Sequence, residues 1–184
     1  MVLPLYEQPW PEGEYRFFQL GFIVDDIDEA AGRWAATFGV GPFRVQPGGP
    51  LKYVAGGVES TIDLQTAVAQ AGPVQIELIR QRDRTPSIFL DHHEKFGGGA
   101  ALHQVSTITA DFDAKVAQYR DQGYEIAADV YSPGFHLAFV DTLADFGFYV
   151  ELVDGPAQFI EGPAAVAASC ARWDGVTAPV RYPR

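Results

Sequence analysis

From Phe17 to Val24 the residues are apolar, β-branched or aromatic except at Gln19 and Gly21, which predicts a buried strand. Asp25, Asp26 and Asp28 then offer N-cap and first-turn carboxylates, Ile27, Ala30, Ala31, Trp34, Ala35 and Phe38 recur at helical spacing, and Gly39 ends the run. Phe43 to Gln46 reads as a short strand, and PGGPLKYVAGG over 47–57 as a Gly/Pro-rich connection. Ile62 to Gln70 and Val74 to Arg80 read as two strands around an Ala-Gly-Pro turn. A short helix over Ser87 to Phe96 and a flexible Gly97–Gly99 joint follow. The order then recurs: a strand from Leu102 to Thr109, a helix from Phe112 to Gln122, and strands over 124–131, 135–140 and 148–153.

The recurrence is literal. QLGFIVDDIDEAAGRWAATFG from Gln19 and QVSTITADFDAKVAQYRDQGY from Gln104 run in parallel at a constant offset of 85 residues. Gln19 falls on Gln104, Ile23 on Ile108, Asp26 on Asp111 and Trp34 on Tyr119. Each copy joins an apolar strand to an Asp-started helix, so a whole supersecondary unit is duplicated and two similar halves meet at a pseudo-twofold axis. The expected fold is α+β: two βαβββ modules forming an open, cupped, mixed β-sheet barrel. The expected boundaries are an N-terminal arm over 1–16, a first module over 17–86, a linker with a short helix over 87–101, a second module over 102–155 and a C-terminal extension over 156–184. Tyr6 and Trp10 in the arm are costly to leave in water and are expected to pack. The alanine-rich segment ends near Cys170, and the tail is expected to be ordered where Trp173 finds a pocket.

The chain's 184 residues are enough to bury a core, and a formal net charge of -11 disfavours nucleic acid and anionic membrane surfaces as partners. Cys170 has no partner for an internal disulfide. The first residues lack a cationic stretch leading into a long apolar run, and no window approaches the roughly 20 apolar residues of a membrane helix. The expectation is a cytoplasmic protein that takes a small-molecule substrate.

Strand alternation places Gln19, Glu77, Gln104 and Glu151 mid-strand in otherwise apolar runs. Buried carboxylates without partners are costly. Three arrangements answer that cost: the strands are half exposed and the groups face water, the amides satisfy the carboxylates by hydrogen bonds, or a divalent cation draws all four together. Oxygen donors of this kind favour Mg, Mn or Ca over an ion that prefers imidazole or thiolate.

FFQLGFIVDDIDEAAGRWAATFGVGPF, VQIELI, GGGAALHQVSTI and FGFYVELVDG together resemble the vicinal oxygen chelate superfamily of glyoxalase, bleomycin resistance and extradiol dioxygenase proteins. The pattern is closest to the methylmalonyl-CoA epimerase-like branch. The resemblance runs from about Phe17 to Gly155 and implies paired βαβββ modules, with one metal ligand from the first and one from the last strand of each. By position these are Gln19, Glu77, Gln104 and Glu151. Gln104 departs from the family's usual His. The neighbouring His103 should aim at the opposite face unless a bulge turns it inward. The lack of two histidines disfavours an extradiol dioxygenase centre, and amides in place of imidazoles weaken metal affinity, so the expected cofactor is one divalent ion (Mg, Mn, Ca or another) or none.

The chemistry the resemblance implies is proton transfer beside a carbonyl, as in isomerisation, epimerisation or a lyase reaction, with Glu151 or Glu77 moving the proton. His136 is a candidate proton carrier facing the cup. Tyr53, Phe135, Phe139, Phe146 and Tyr149 are expected near the mouth, where they favour an apolar or aromatic substrate. Glu59 and Asp63 flank the first module's inner strand as unassigned acids, and His92 and His93, adjacent on a helix, do not share a face for a joint metal site. The alternative function is a non-catalytic, drug-sequestering binder, and relatives imply a homodimer.

Overall fold

The computed structural model describes residues 17–46, 48–96, 100–109, 111–132, 134–154 and 161–183. The expected packing of Tyr6 and Trp10 and the Gly97–Gly99 joint lie outside the described residues. Among the described residues ten strands form one mixed sheet: β1 (Phe17–Ile23), β2 (Phe43–Val45), β3 (Gly49–Ala55), β4 (Val58–Ala71), β5 (Val74–Gln81), β6 (Ala101–Ile108), β7 (Ile126–Ser132), β8 (Phe135–Val140), β9 (Tyr149–Asp154) and β10 (Val180–Arg181). The helices among the described residues are α1 (Ile27–Phe38), α2 (Ile88–Lys95), α3 (Phe112–Asp121), the single turn α4 (Leu143–Phe146) and α5 (Glu161–Cys170). No helix among the described residues is long and apolar enough to cross a membrane.

The duplicated sequence folds into duplicated structure. Asp26 caps α1 by accepting from the Glu29 amide at 2.9 Å, and its repeat mate Asp111 caps α3 by accepting from Ala114 at 3.0 Å. β1 and β6 are antiparallel neighbours at the pseudo-twofold, and each lies parallel to the last strand of its own module, β5 and β9. The outer edges also meet, because β3 pairs with β7 through Lys52↔Tyr131 to Val54↔Asp129, while β4 pairs with β5. The cup is thereby closed into an eight-stranded barrel, β4-β3-β7-β8-β9-β6-β1-β5.

β3 corrects the reading of 47–57 as a connection. Its glycines and prolines sit at the ends, while Leu51 to Ala55 pair residue by residue with β4 across the Gly56–Gly57 turn. Both turn glycines have positive φ, +56° and +78°, as a two-residue hairpin demands.

Apolar side chains divide between the barrel's inside and its helix-covered outside. Tyr53, Ile62, Leu64, Ile79, Phe89, Phe139 and Tyr149 form the interior cluster. Outside, α1 buries Ile27, Ala30 and Ala31 on Phe43, Ala67 and Leu78, and Phe112, Val116 and Tyr119 of α3 lie against Ala138, Val140 and Leu152.

The C-terminal tail is a structural element. Trp173 lies where Gly41 leaves room, since a Cβ there would sit 2.8 Å from the indole. β10 then adds in parallel to β2, and the Tyr182 hydroxyl reaches Asp28 at 2.8 Å.

Candidate functional site

Two bulges set the site. Between Phe17↔Thr107 and Gln19↔Ser106, β1 carries one extra residue, Phe18; between Gly21↔Gln104 and Phe22↔Leu102, β6 carries one extra residue, His103. His103 is the repeat mate of Phe18 at the 85-residue offset, so the duplication has copied the bulge together with the glutamine that follows it. The irregularity overrides simple alternation. His103 is fully buried inside the barrel against Phe89, Phe139 and Tyr149, and its Nδ1 contacts Gln104 Oε1.

Gln19, Glu77, Gln104 and Glu151 line one cavity of about 510 Å³ in the barrel. Gln19, Gln104 and Glu151 are 6%, 1% and 4% exposed, so the arrangement in which these groups face water fails for them. The amides and hydroxyls satisfy the carboxylates instead. Gln104 Nε2 donates to Glu77 Oε2 at 3.4 Å, Gln104 also hydrogen-bonds Glu151, and Ser106 Oγ donates to Glu151 Oε2. Thr66 hydrogen-bonds Glu77 from the adjoining strand.

Burial dominates the electrostatics. It pushes the Glu151 carboxyl up to about 7 against the opposing hydrogen bonds of Ser106 and Gln104. The Glu77 carboxyl is held well above the usual carboxylate range by burial first and by the nearby charge of Glu151 second, with Thr66 pulling the other way. At neutral pH the pair favours carrying a proton, and its two members titrate together. Burial also holds His103 neutral, lowering its imidazole to about 3.

Among the described residues no three His, Cys, Asp or Glu side chains cluster to hold a metal ion. The donor chemistry nevertheless fits a hard cation, because carboxylate oxygens of Glu77 and Glu151 and the carboxamide of Gln19 line the same cavity. Gln104, expected as a fourth ligand, presents an N–H to Glu77 and is placed as a donor there.

Phe135 and Phe139 line the cavity. Tyr53 and Tyr149 lie in the interior cluster, and the Tyr53 hydroxyl accepts from the Ile88 amide at the start of α2. His136 does not face the cup. Its neighbours Phe135 and Leu137 line the cavity, so alternation turns it outward, where it stacks on Tyr131, touches Phe112 and pairs with Asp129 at 2.7 Å. Phe146 is not part of the cavity lining: it is 60% exposed on α4 and stacks on Phe148. Glu59 and Asp63 are paired outside the cavity lining, with Lys52 at 2.6 Å and Arg82 at 2.7 Å. His93 pairs with Asp25, whereas His92 bonds the Leu102 carbonyl, in keeping with separate helix faces.

Sequence reasoning missed Ser106, Thr66 and the C-terminal residues Gly162, Pro163 and Val166, all of which bear on the cavity or its carboxylates. Ser106 was findable, two residues beyond Gln104 on a strand. Nothing local in the alanine-rich segment signals a cavity wall.

Gly21 fixes how Gln104 is held. A Cβ on Gly21 would lie 2.7 Å from Gln104 Cδ and 2.9 Å from Cγ, so the buried Gln104 side chain must shift to admit it. Gly21→Ala is expected to destabilise the fold by roughly 1–3 kcal/mol through overpacking. Gly21→Ala combined with Gln104→Ala should recover most of that loss in urea titrations, and a strictly additive double variant would contradict the assigned contact.

The family model described as the Glyoxalase/Bleomycin resistance protein/Dioxygenase superfamily matches residues 18–142. Among solved structures, methylmalonyl-CoA epimerase from Mycobacterium tuberculosis superposes with a TM-score of 0.54 at 18% identity, covering 79% of this chain and 91% of that one. A hypothetical protein from Bacillus halodurans C-125 gives a TM-score of 0.54 at 14% identity, covering 76% of this chain and 94% of that one. At these identities the likeness establishes the fold alone. No curated protein matches.

Proposed function

The chain belongs to the Glyoxalase/Bleomycin resistance protein/Dioxygenase superfamily, and from that premise we propose that it is an enzyme moving a proton beside a carbonyl, by isomerisation or epimerisation, on a small apolar or aromatic substrate. The observation that carries the reading is the coupled pair Glu77 and Glu151 inside an apolar cavity, with Glu151 poised at about 7. A base or acid works best with its pKa near the operating pH. A pure binder of apolar ligands gains nothing from a buried Glu151 beside a half-buried Glu77, carboxylates whose desolvation opposes folding.

In the proposed reaction the ionised carboxylate of the pair takes the proton on the carbon next to the carbonyl, and the protonated one returns a proton. Return to the opposite face inverts the centre, and return to a neighbouring atom shifts the double bond. Gln104 hydrogen-bonds both carboxylates and so stabilises whichever holds the charge. Ser106 fixes Glu151 Oε2 and so orients the carboxyl. Leu64, Phe139 and Val153 of the lining keep water from competing for the proton. A divalent ion held by Gln19, Glu77 and Glu151 would, when bound, polarise the substrate carbonyl.

Enantiopure 2-methyl-1-indanone and 2-phenylcyclohexanone test the reaction. In D₂O the protein is expected to exchange the α-hydrogen faster than buffer alone, read by proton NMR, with matching loss of optical rotation. Saturable binding of both ketones with no exchange would overturn catalysis and leave the sequestering alternative.

A further inference from the structure

We propose that α5 is the specificity wall of the cavity, and that it confines the site to compact substrates without phosphate groups. The inference rests on the functional reading above for the location of the site, and it concerns what that site admits. The family model ends at residue 142, so α5 lies beyond the matched part of the chain. Gly162, Pro163 and Val166 of α5 nonetheless line the same cavity as Glu77 and Glu151.

The helix is anchored rather than laid loosely across the barrel. Val166 is 3% exposed, and Ala164 and Ala167 pack on Phe18, Ile108 and Val153. Buried Gln75 donates Nε2 to the Pro163 carbonyl at 3.2 Å, and Cys170 Sγ accepts from the Gln70 amide at 3.2 Å. Beyond α5, Trp173 fills the space over Gly41 and β10 extends the sheet, so the wall is fixed at both its face and its C-terminal end.

Charge completes the argument. No Lys or Arg occurs among the described lining residues, whereas two carboxylates do. The Arg82 guanidinium, which lies beside Gly48 of the lining, is committed to Asp63 at 2.7 Å. A chain of net charge -11 adds a repelling field. A nucleotide thioester would bring several phosphate charges to a cavity with no Lys or Arg among its described lining residues, whereas an uncharged aryl or alicyclic ketone meets apolar walls and one polar centre.

Calorimetric titration tests this with 2-methyl-1-indanone, 2-phenylcyclohexanone and propionyl-CoA as probes. The wild type is expected to bind both ketones one to one and to show no saturable binding of propionyl-CoA. Val166→Trp, which fills the wall side of the cavity, should weaken both ketones at least tenfold. Val166→Ala should improve 2-phenylcyclohexanone relative to the smaller indanone, and it keeps the test decisive if the tryptophan variant does not fold. Propionyl-CoA binding as tightly as the ketones, or unchanged ketone affinity in a folded tryptophan variant with no size shift in the alanine variant, would overturn the inference. Failure here is separable from failure of the proposed reaction. Ketones that bind and respond to Val166 without α-hydrogen exchange sink the chemistry and leave the wall standing, while exchange indifferent to Val166 does the reverse.

Discussion

Glu151→Gln is expected to lower α-hydrogen exchange by about 10² to 10⁴-fold while leaving the fold and the binding of uncharged ketones intact, the usual scale of a lost general acid–base group. Gln keeps the volume of Glu and can accept the Ser106 hydroxyl through its amide oxygen, so the buried hydrogen bond at that end survives. What is lost is the ability to take or give a proton from a position 4% exposed, where water is a poor replacement. The loss should fall on turnover rather than on substrate affinity, because the cavity's apolar lining is unchanged. Glu77→Gln should behave differently. It removes the carboxyl that the charge of Glu151 helps hold up and replaces it with an amide facing Gln104, so the pair no longer titrates together and residual exchange should show a pH profile displaced from that of the wild type. Wild-type exchange rates in Glu151→Gln would remove Glu151 from the mechanism. The same rates in both single variants would remove the pair.

The residues that reason well from sequence are those whose role is periodic. The strand-helix repeat was legible because Asp26 and Asp111 cap, and Ile23 and Ile108 are buried, for reasons that span only a few neighbours. Strand alternation likewise marks Gln19, Glu77, Gln104 and Glu151 as polar positions mid-strand in apolar runs, and all four line the cavity. Alternation fails where one extra residue enters a strand: His103 was assigned outward in the regular strand, and the bulge turns it into the core. His136 failed for the opposite reason. Its strand is regular there, and the phase set by Phe135 and Leu137 points it to Tyr131 and Asp129. β3 was hidden because glycine and proline were weighed without the pairing partner that orders Leu51 to Ala55. The wall formed by Pro163 and Val166 depends on contacts with Gln75 and the sheet that no local pattern encodes.

The stability of the chelator-treated protein should carry the signature of the buried carboxylates. Treatment with EDTA makes protons the only cations the centre can bind. A carboxyl near 4.3 in the unfolded chain and about 7 when folded binds more protons in the folded state between those values, so stability falls as pH rises through that window. The limit for Glu151 is about 4 kcal/mol, at about 1.36 kcal/mol per unit of difference. His103 works against this. Its folded value of about 3 lies below the unfolded 6.5, so the unfolded chain binds the extra proton and stability rises with pH up to about 6.5. The wild-type curve therefore sums two opposed slopes. Glu151→Gln isolates one of them, because Gln resembles the protonated carboxyl at every pH. The variant should match the wild type near pH 4 and exceed it by up to about 4 kcal/mol at pH 8, with most of the divergence between about 4.3 and 7. Removal of the Glu151 charge also relieves Glu77, which adds to the gain in the same direction. Urea unfolding at pH 4.5, 6 and 8 reads the difference directly. A gap between variant and wild type that does not grow with pH would mean that Glu151 is ionised at no cost, and a carboxylate solvated that well is not the poised acid–base group the cavity requires.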